Sequence, residues 1–386
     1  MRINNITRRN FVSLAAASGA MLVAPRLTFA AANTDRRFIF FILRGAVDGL
    51  EMVIPYGDPN YQRARGSLAI NLDKATKLDS TFALHPALAQ TAAMYQNGQA
   101  LFVHAVASSF RDRSHFDAQN ILETGGKAPY AQKDGWLNRL ATLLPRAPSE
   151  PIAFASTVPA ALRGPTEVTS YAPSALPEAS DDLYARVANL YTQDAQLHNL
   201  WNAAMDARNM SSGVSSKQDA ASLGKLAATF LAKENGPRIA MLESSGWDTH
   251  NQQSGRLTRQ FTGLDATLAA LRDGLGEAVW NKTTIVVATE FGRTVAPNGT
   301  GGTDHGTATA AIVLGGSIKG GRVLADWPGL AQANLFENRD LRPTSAINAL
   351  ISGIAGESLG IEPGLVLRTL FADAPTIKPM QGFIKS

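Results

Sequence analysis

Thr283-Thr284-Ile285-Val286-Val287-Ala288-Thr289-Glu290-Phe291-Gly292-Arg293 joins an apolar run to a cluster of polar residues. The β-branched, apolar run as far as Ala288 predicts a strand buried on both faces, as in the interior of a parallel sheet. A carboxylate, Glu290, stands where the run ends. Gly301-Gly302-Thr303-Asp304-His305-Gly306 follows and presents an adjacent Asp-His pair in a glycine-rich loop. In open α/β sheets, ligands bind at the carboxyl ends of the strands. Carboxylate oxygen and neutral imidazole are the groups that hold zinc and the harder cations there.

The same pattern recurs outward from this stretch. Arg37–Leu43 reads as a second buried strand and ends at Arg44-Gly45-Ala46-Val47-Asp48-Gly49-Leu50. Ala100–Ala107 reads as a third, followed by a polar loop and Arg113-Ser114-His115-Phe116-Asp117. A fourth, 238–243, delivers Ser245-Gly246-Trp247-Asp248-Thr249-His250, and Thr309–Leu314 is a further β-branched run. Helices are predicted over 86–96, 135–144, 180–209, 220–234, 257–279 and 343–355. The alternation predicts an α/β fold, a mainly parallel sheet with helices on both faces. One domain over 36–386 is expected, with a mainly helical insertion around 175–236.

Each candidate residue has a plainer use beside its chemical one. Asp48 is a candidate metal ligand or a turn residue accepting backbone N–H bonds. Asp248 and His250, two apart in extended backbone, point the same way and can reach one ion, or Asp248 caps a helix. Glu290 is a candidate ligand or the ion-pair partner of Arg293. Asp304 and His305 are ligands or members of a glycine-rich turn. Ser114, followed by Asp117, marks a helix N-terminus; it is a capping residue or a nucleophile favoured by the free N–H groups there. His115 is a ligand, a general acid or a surface residue. His85, His104 and His198 read as structural.

The amino terminus reads as an address. Thr7-Arg8-Arg9-Asn10-Phe11-Val12 is a twin-arginine pattern, the apolar run 13–24 follows, and Thr28-Phe29-Ala30 offers a cleavage site. A run of about a dozen residues is too short to span a bilayer core of about 30 Å, so 1–30 is expected to be a removable signal peptide. Export by the twin-arginine translocase to the periplasm or medium is the expectation, with no membrane anchor after cleavage. This segment carries four of the chain's 36 basic residues and no acidic one, so the formal charge of +4 disappears with it. A charge balance of zero in the remainder gives no footprint for nucleic acid. The chain has no cysteine, which excludes disulfides, thiolate metal sites and cysteine nucleophiles.

The order Asp48, Ser114, Asp248-Thr249-His250, Glu290 and Asp304-His305 resembles that of the alkaline phosphatase/sulfatase superfamily. Through the stretches 43–50, 113–119, 246–250, 289–293 and 303–306 the chain also resembles a large bacterial family of exported proteins, domain of unknown function 1501, grouped with that superfamily. The resemblance implies an alkaline-phosphatase-like fold and one or two divalent metal ions (zinc, manganese, calcium or magnesium). It implies hydrolysis of a phosphate or sulfate ester on a small-molecule or polymer-borne anionic substrate. Asp48 and Glu290 would hold one metal, Asp248, His250 and His305 the other, and Asp304 is a further ligand. Ser114 would be the nucleophile beside His115, with Arg44 and Arg293 holding the anionic group. Two departures stand out: Phe291 replaces the usual His after the acid, and only Thr249 separates Asp248 from His250. They favour the alternative of a non-catalytic binding or assembly protein on a degenerate scaffold. Isomerase or mutase chemistry on a phosphorylated substrate is a third reading.

Overall fold

A computed structural model describes residues 34–145, 150–172, 181–192, 194–210, 219–374 and 376–385. The expected signal peptide lies outside these residues. Besides a small sheet of Val53–Ile54, Thr76–Lys77 and Ala83–Leu84, the described strands are β1 (Arg37–Leu43), β2 (Ala100–Ala107), β3 (Ile152–Phe154), β4 (Thr169–Ser170), β5 (Ile239–Ser244), β6 (Thr283–Ala288), β7 (Thr309–Leu314), β8 (Arg322–Leu324) and β9 (Ser345–Ala346). These nine, β1 to β9, form the main sheet in the order β8-β2-β7-β6-β1-β5-β3-β4, with β9 also pairing β2. Pairings of β1 with β5 and β6 are parallel, as are those of β3 with β4 and β5 and of β2 with β8 and β9. Within this sheet only β7 runs the other way among the described strands, antiparallel to both β2 and β6.

Every residue of β1 is buried, because helices cover both sides of the sheet. Ile39, Phe41 and Leu43 face one layer, built from α1 (Ala89–Gln96), α6 (Ala220–Leu231) and α7 (Gln253–Trp280). Phe38, Phe40 and Ile42 face the other, built from α3 (Trp136–Thr142), α8 (Ile347–Leu359) and α9 (Pro363–Leu370). Between them in the chain lie α2 (His115–Thr124), α4 (Asp181–Tyr191) and α5 (Ala195–Met210). Leu257, Phe261, Leu264, Leu268, Leu271 and Leu275 make the buried stripe of α7. Their spacing of three and four places them on one helical face, and burying each contributes roughly 1.5–3 kcal/mol.

The predicted helix over 180–209 is two helices. Asp194 accepts hydrogen bonds from the Gln196 and Leu197 N–H groups at 2.9 and 3.0 Å, so its carboxylate caps and starts α5 afresh. No helix among the described residues is long and apolar enough to cross a membrane.

Candidate metal centre

Because the sheet is parallel apart from β7, strands β1, β2, β5 and β6 all end on one rim. The loops after them carry Arg44 to Asp48, Ser108 to Ser114, Ser245 to His250 and Thr289 to Arg293. The reversed β7 begins on the same rim, so Asp304 and His305 reach it from the loop that precedes their strand. An antiparallel bridge between Arg293 and His305 fastens the last two loops, with Gly306 N donating to Gly292 O at 2.8 Å and Gly292 N to Thr307 O at 2.9 Å. Chain approach is too close for side chains: a Cβ on Gly292 would lie 1.9 Å from Ala308 O, and one on Gly306 2.3 Å from the Arg293 carbonyl carbon.

His115, Asp248 and His305 form a group able to hold a metal ion. The Nε2 atoms of His115 and His305 are 2.9 Å apart. Asp248 Oδ2 is 3.5 Å from His115 Nε2, and Asp248 Oδ1 is 3.4 Å from His305 Nε2. Zinc–nitrogen bonds of about 2.0–2.1 Å put the ligand atoms of a tetrahedral ion roughly 3.3–3.4 Å apart, which these separations bracket. His250 flanks the group, its Nε2 lying 3.0 Å from both Asp248 Oδ1 and His305 Nε2.

The protons follow from the partners. His305 Nδ1 faces the Arg113 carbonyl at 2.9 Å, His115 Nδ1 faces Glu290 Oε1 at 2.8 Å, and His250 Nδ1 faces Asp304 Oδ1 at 3.1 Å. Each oxygen accepts, so each Nδ1 carries its hydrogen, and three Nε2 lone pairs are left turned toward Asp248. Lone pairs and a carboxylate this close repel unless a cation, a proton or a metal, lies among them. Backing each ligand imidazole with a carboxylate or carbonyl is also how metal-bound histidines are oriented.

The hydrogen bond that His115 donates to Glu290 raises its pKa above the ordinary imidazole value, against partial burial that lowers it. His305 moves down, chiefly through desolvation and then through the His115 charge. For Asp248, partial burial pushes the carboxyl up, but the Arg293 hydrogen bond and charge outweigh it and hold it low, with His250 and His115 adding to the effect. Burial likewise pushes Glu290 up, and hydrogen bonds from His115, Gln119, backbone and Thr289 hold it below its usual value.

Not every expected residue enters the group. Glu290 stands behind His115, its Oε1 also accepting from Gly45 N at 2.8 Å and Gln119 Nε2 at 2.9 Å. Asp48 is buried elsewhere: Oδ1 caps the one-turn helix Gly49–Met52 through Leu50 N, and Oδ2 accepts from Arg65 and Gln253, each at 2.6 Å. The donor set at His115, Asp248, His305 and His250 therefore fits one ion, while Asp48 and Glu290 are engaged with protein donors and contribute no ligand atom to it. Asp304 touches the periphery through His250. Arg44 is spent on Glu123 and Glu243 at 2.7 and 2.8 Å, and Arg293 on Asp248 at 2.6 Å and on Thr303. Ser114 is the N-cap residue of α2, yet its side chain makes no cap hydrogen bond.

Phe291, which the sequence marked only as a departure from the usual His, has a place in the site. Phe291 stacks on the His115 ring at 4.9 Å and leans on His305 at 5.3 Å, so it is an apolar wall of the centre. The Arg113 carbonyl, in a residue with φ of 58°, orients His305; backbone geometry of this kind leaves no trace in residue types. Gln119, two residues beyond Asp117, was a readable signal, since an amide four residues after His115 lies on the same helical face.

The chain belongs to the family described as Protein of unknown function (DUF1501), whose model matches residues 35–371. None of the curated proteins matches it. It is similar to Ps i-CgsB, solved with k-i-k-neocarrahexaose, at 10% identity and a TM-score of 0.44, covering 85% of this chain and 73% of that one. It is similar to the C-terminal periplasmic domain of EcEptC from Escherichia coli, in complex with Zn, at 11% identity and 0.40, covering 74% of each. For a putative sulfatase from Bacteroides thetaiotaomicron the values are 8% and 0.42, with 89% and 76% covered. At such identities and scores no shared chemistry follows from the likeness alone.

Proposed function

We propose that the protein is a metal-dependent hydrolase of phosphate or sulfate esters, with one divalent ion held by His115, Asp248 and His305 and flanked by His250. The observation that carries this reading is the convergence of imidazole Nε2 atoms, each with its Nδ1–H already satisfied, on one carboxylate. Among the expected metals, zinc suits that nitrogen-rich set, since calcium and magnesium select oxygen ligands. When bound, the ion would polarise an ester oxygen and lower the pKa of a hydroxyl or water beside it.

The chain's own residues supply the rest. Glu290 keeps His115 turned to the centre, Arg293 offsets the charge of Asp248, and Phe291 keeps water from one side. Ser114, one residue before a ligand and free of the capping bond, is the nucleophile in this reading. The N-terminus of α2 beside it favours an anionic group. Periplasmic or secreted location through the twin-arginine route belongs to the same proposal.

One observation favours the alternative of a non-catalytic binding protein: Arg44 and Arg293, the residues expected to hold the anionic group, are both engaged by carboxylates. Nitrophenyl phosphate and nitrophenyl sulfate offered to the zinc- or manganese-loaded protein separate the two. The hydrolase reading expects nitrophenol release that depends on metal and falls at least 100-fold in Ser114→Ala. Full metal occupancy without release of nitrophenol from either ester overturns it in favour of the binding protein.

A further inference from the structure

Behind the centre lies a buried polar group that the proposed chemistry leaves unused. Asp48, Glu51, Arg65 and Gln253 are each no more than 1% exposed, and charged residues are rarely buried so completely unless paired. Gln253 Nε2 donates to Asp48 Oδ2 at 2.6 Å and to Glu51 Oε2 at 2.7 Å. On its other side, Gln253 Oε1 accepts from Thr249 Oγ1 at 2.9 Å and Thr303 Oγ1 at 2.6 Å. Thr303 Oγ1 accepts in turn from Arg293 Nε at 3.1 Å, and Arg293 Nη1 donates to Asp248 Oδ1 at 2.6 Å.

The sense of each bond follows from what each group can do. The Asp48 carboxylate, ion-paired with Arg65, only accepts, so the Gln253 NH2 must face it and the amide oxygen must face the two threonines. Thr303 has one O–H, and it is used on Gln253. Its lone pairs are thereby turned to Arg293, whose guanidinium is held with one nitrogen on the metal-binding carboxylate. Asp248 is 40% exposed on its side chain, and Arg293 makes the shortest contact to it, at 2.6 Å.

We propose that Gln253 is a positioning residue for the metal centre, setting the orientation of Asp248 through Thr303 and Arg293. This rests on the reading of the centre as a metal site. Gln253 is the first residue of α7, so the chain of bonds ties the longest described helix to the ligand carboxylate.

Substitution of Gln253 itself takes the hydrogen-bond donor from the buried Glu51 and one of the donors from Asp48, which threatens the fold, so the test cuts the next link. Thr303→Val keeps the shape and removes the hydroxyl, and Thr303→Ser restores it. Cobalt(II) titration followed by visible absorption reads affinity and ligand geometry together, and thermal unfolding of the metal-free proteins reads the fold. The expected result is a folded Thr303→Val protein with cobalt affinity 10–100-fold lower and an altered spectrum, the span usual for groups that orient metal ligands, with Thr303→Ser close to wild type. A Thr303→Val protein that is less stable but binds cobalt with unchanged affinity and spectrum overturns the inference and leaves the metal reading standing. Wild-type protein that takes up no cobalt removes the metal reading, and the positioning role falls with it.

Discussion

Glu290 shows what a residue type at a strand end can and cannot say. Its place on the rim was legible, since β6 is β-branched and apolar to its last residue. Its role was not: the sequence left it as a ligand or the partner of Arg293, whereas its carboxylate turns back to His115 and Arg293 reaches Asp248. Side-chain direction beyond a strand's end depends on loops from distant parts of the chain. Glu290→Gln keeps an acceptor for Gly45 N but gives His115 a weaker partner. The expected outcome is a folded protein with metal affinity 10–100-fold lower, measured by competition with a chromophoric chelator. Glu51, absent from every sequence reading, carries a second prediction at this scale. Burial, then the charge of Asp48, pushes its carboxyl up to about 7, against donation from Gln253 and the Arg65 charge. Its folded form thus holds a proton that the unfolded chain releases near pH 4.5, and the stability this gives is lost as pH rises from about 4.5 through 7. Glu51→Gln is expected to match wild type near pH 5 and to exceed it at pH 8 by something of order 2 kcal/mol, as read from denaturant unfolding at both values. An equal difference at the two values would count against a protonated Glu51.

Elements were the most legible level, because long apolar periods admit few readings. β1, β2, β6 and β7 occupy the predicted residues, and α7 runs four residues earlier and one later than its predicted 257–279. Direction was hidden: a buried apolar hexapeptide such as Thr309–Leu314 reads the same whichever way it runs. Its antiparallel course brings His305 to the rim ahead of the strand, where a parallel strand would have carried its preceding loop to the opposite end. The break at Asp194 was readable as a cap but was absorbed into a long helical period. The bridge between Gly292 and Gly306 makes a prediction for this scale. Gly306→Ala puts a methyl group where the Arg293 backbone already lies, and overpacking of this kind costs roughly 1–3 kcal/mol. We expect a lowered melting temperature together with loss of bound metal, since Arg293 and His305 are displaced at once. Unchanged metal content in a destabilised protein would mean that the bridge does not position the site.

At the scale of the molecule, the sheet gathers residues from the loops around 113–115, 248–250 and 290–305 onto one rim, and an ion there would tie together segments far apart in the chain. Binding to the folded state alone adds about 2.7 kcal/mol at a free metal concentration 100 times the dissociation constant. The parallel core and its two helical layers followed from sequence, whereas the pairing of buried charges within the rim did not, because ion-pair choice is a property of three-dimensional neighbours. Elemental analysis of protein purified without chelator shows directly whether the rim holds a metal. One equivalent of a divalent metal, zinc foremost, is expected in the wild type and none in either Asp248→Ala or His305→Ala, with each variant folded. Wild-type protein that stays metal-free in micromolar zinc and manganese, or metal uptake untouched by both substitutions, would contradict that expectation.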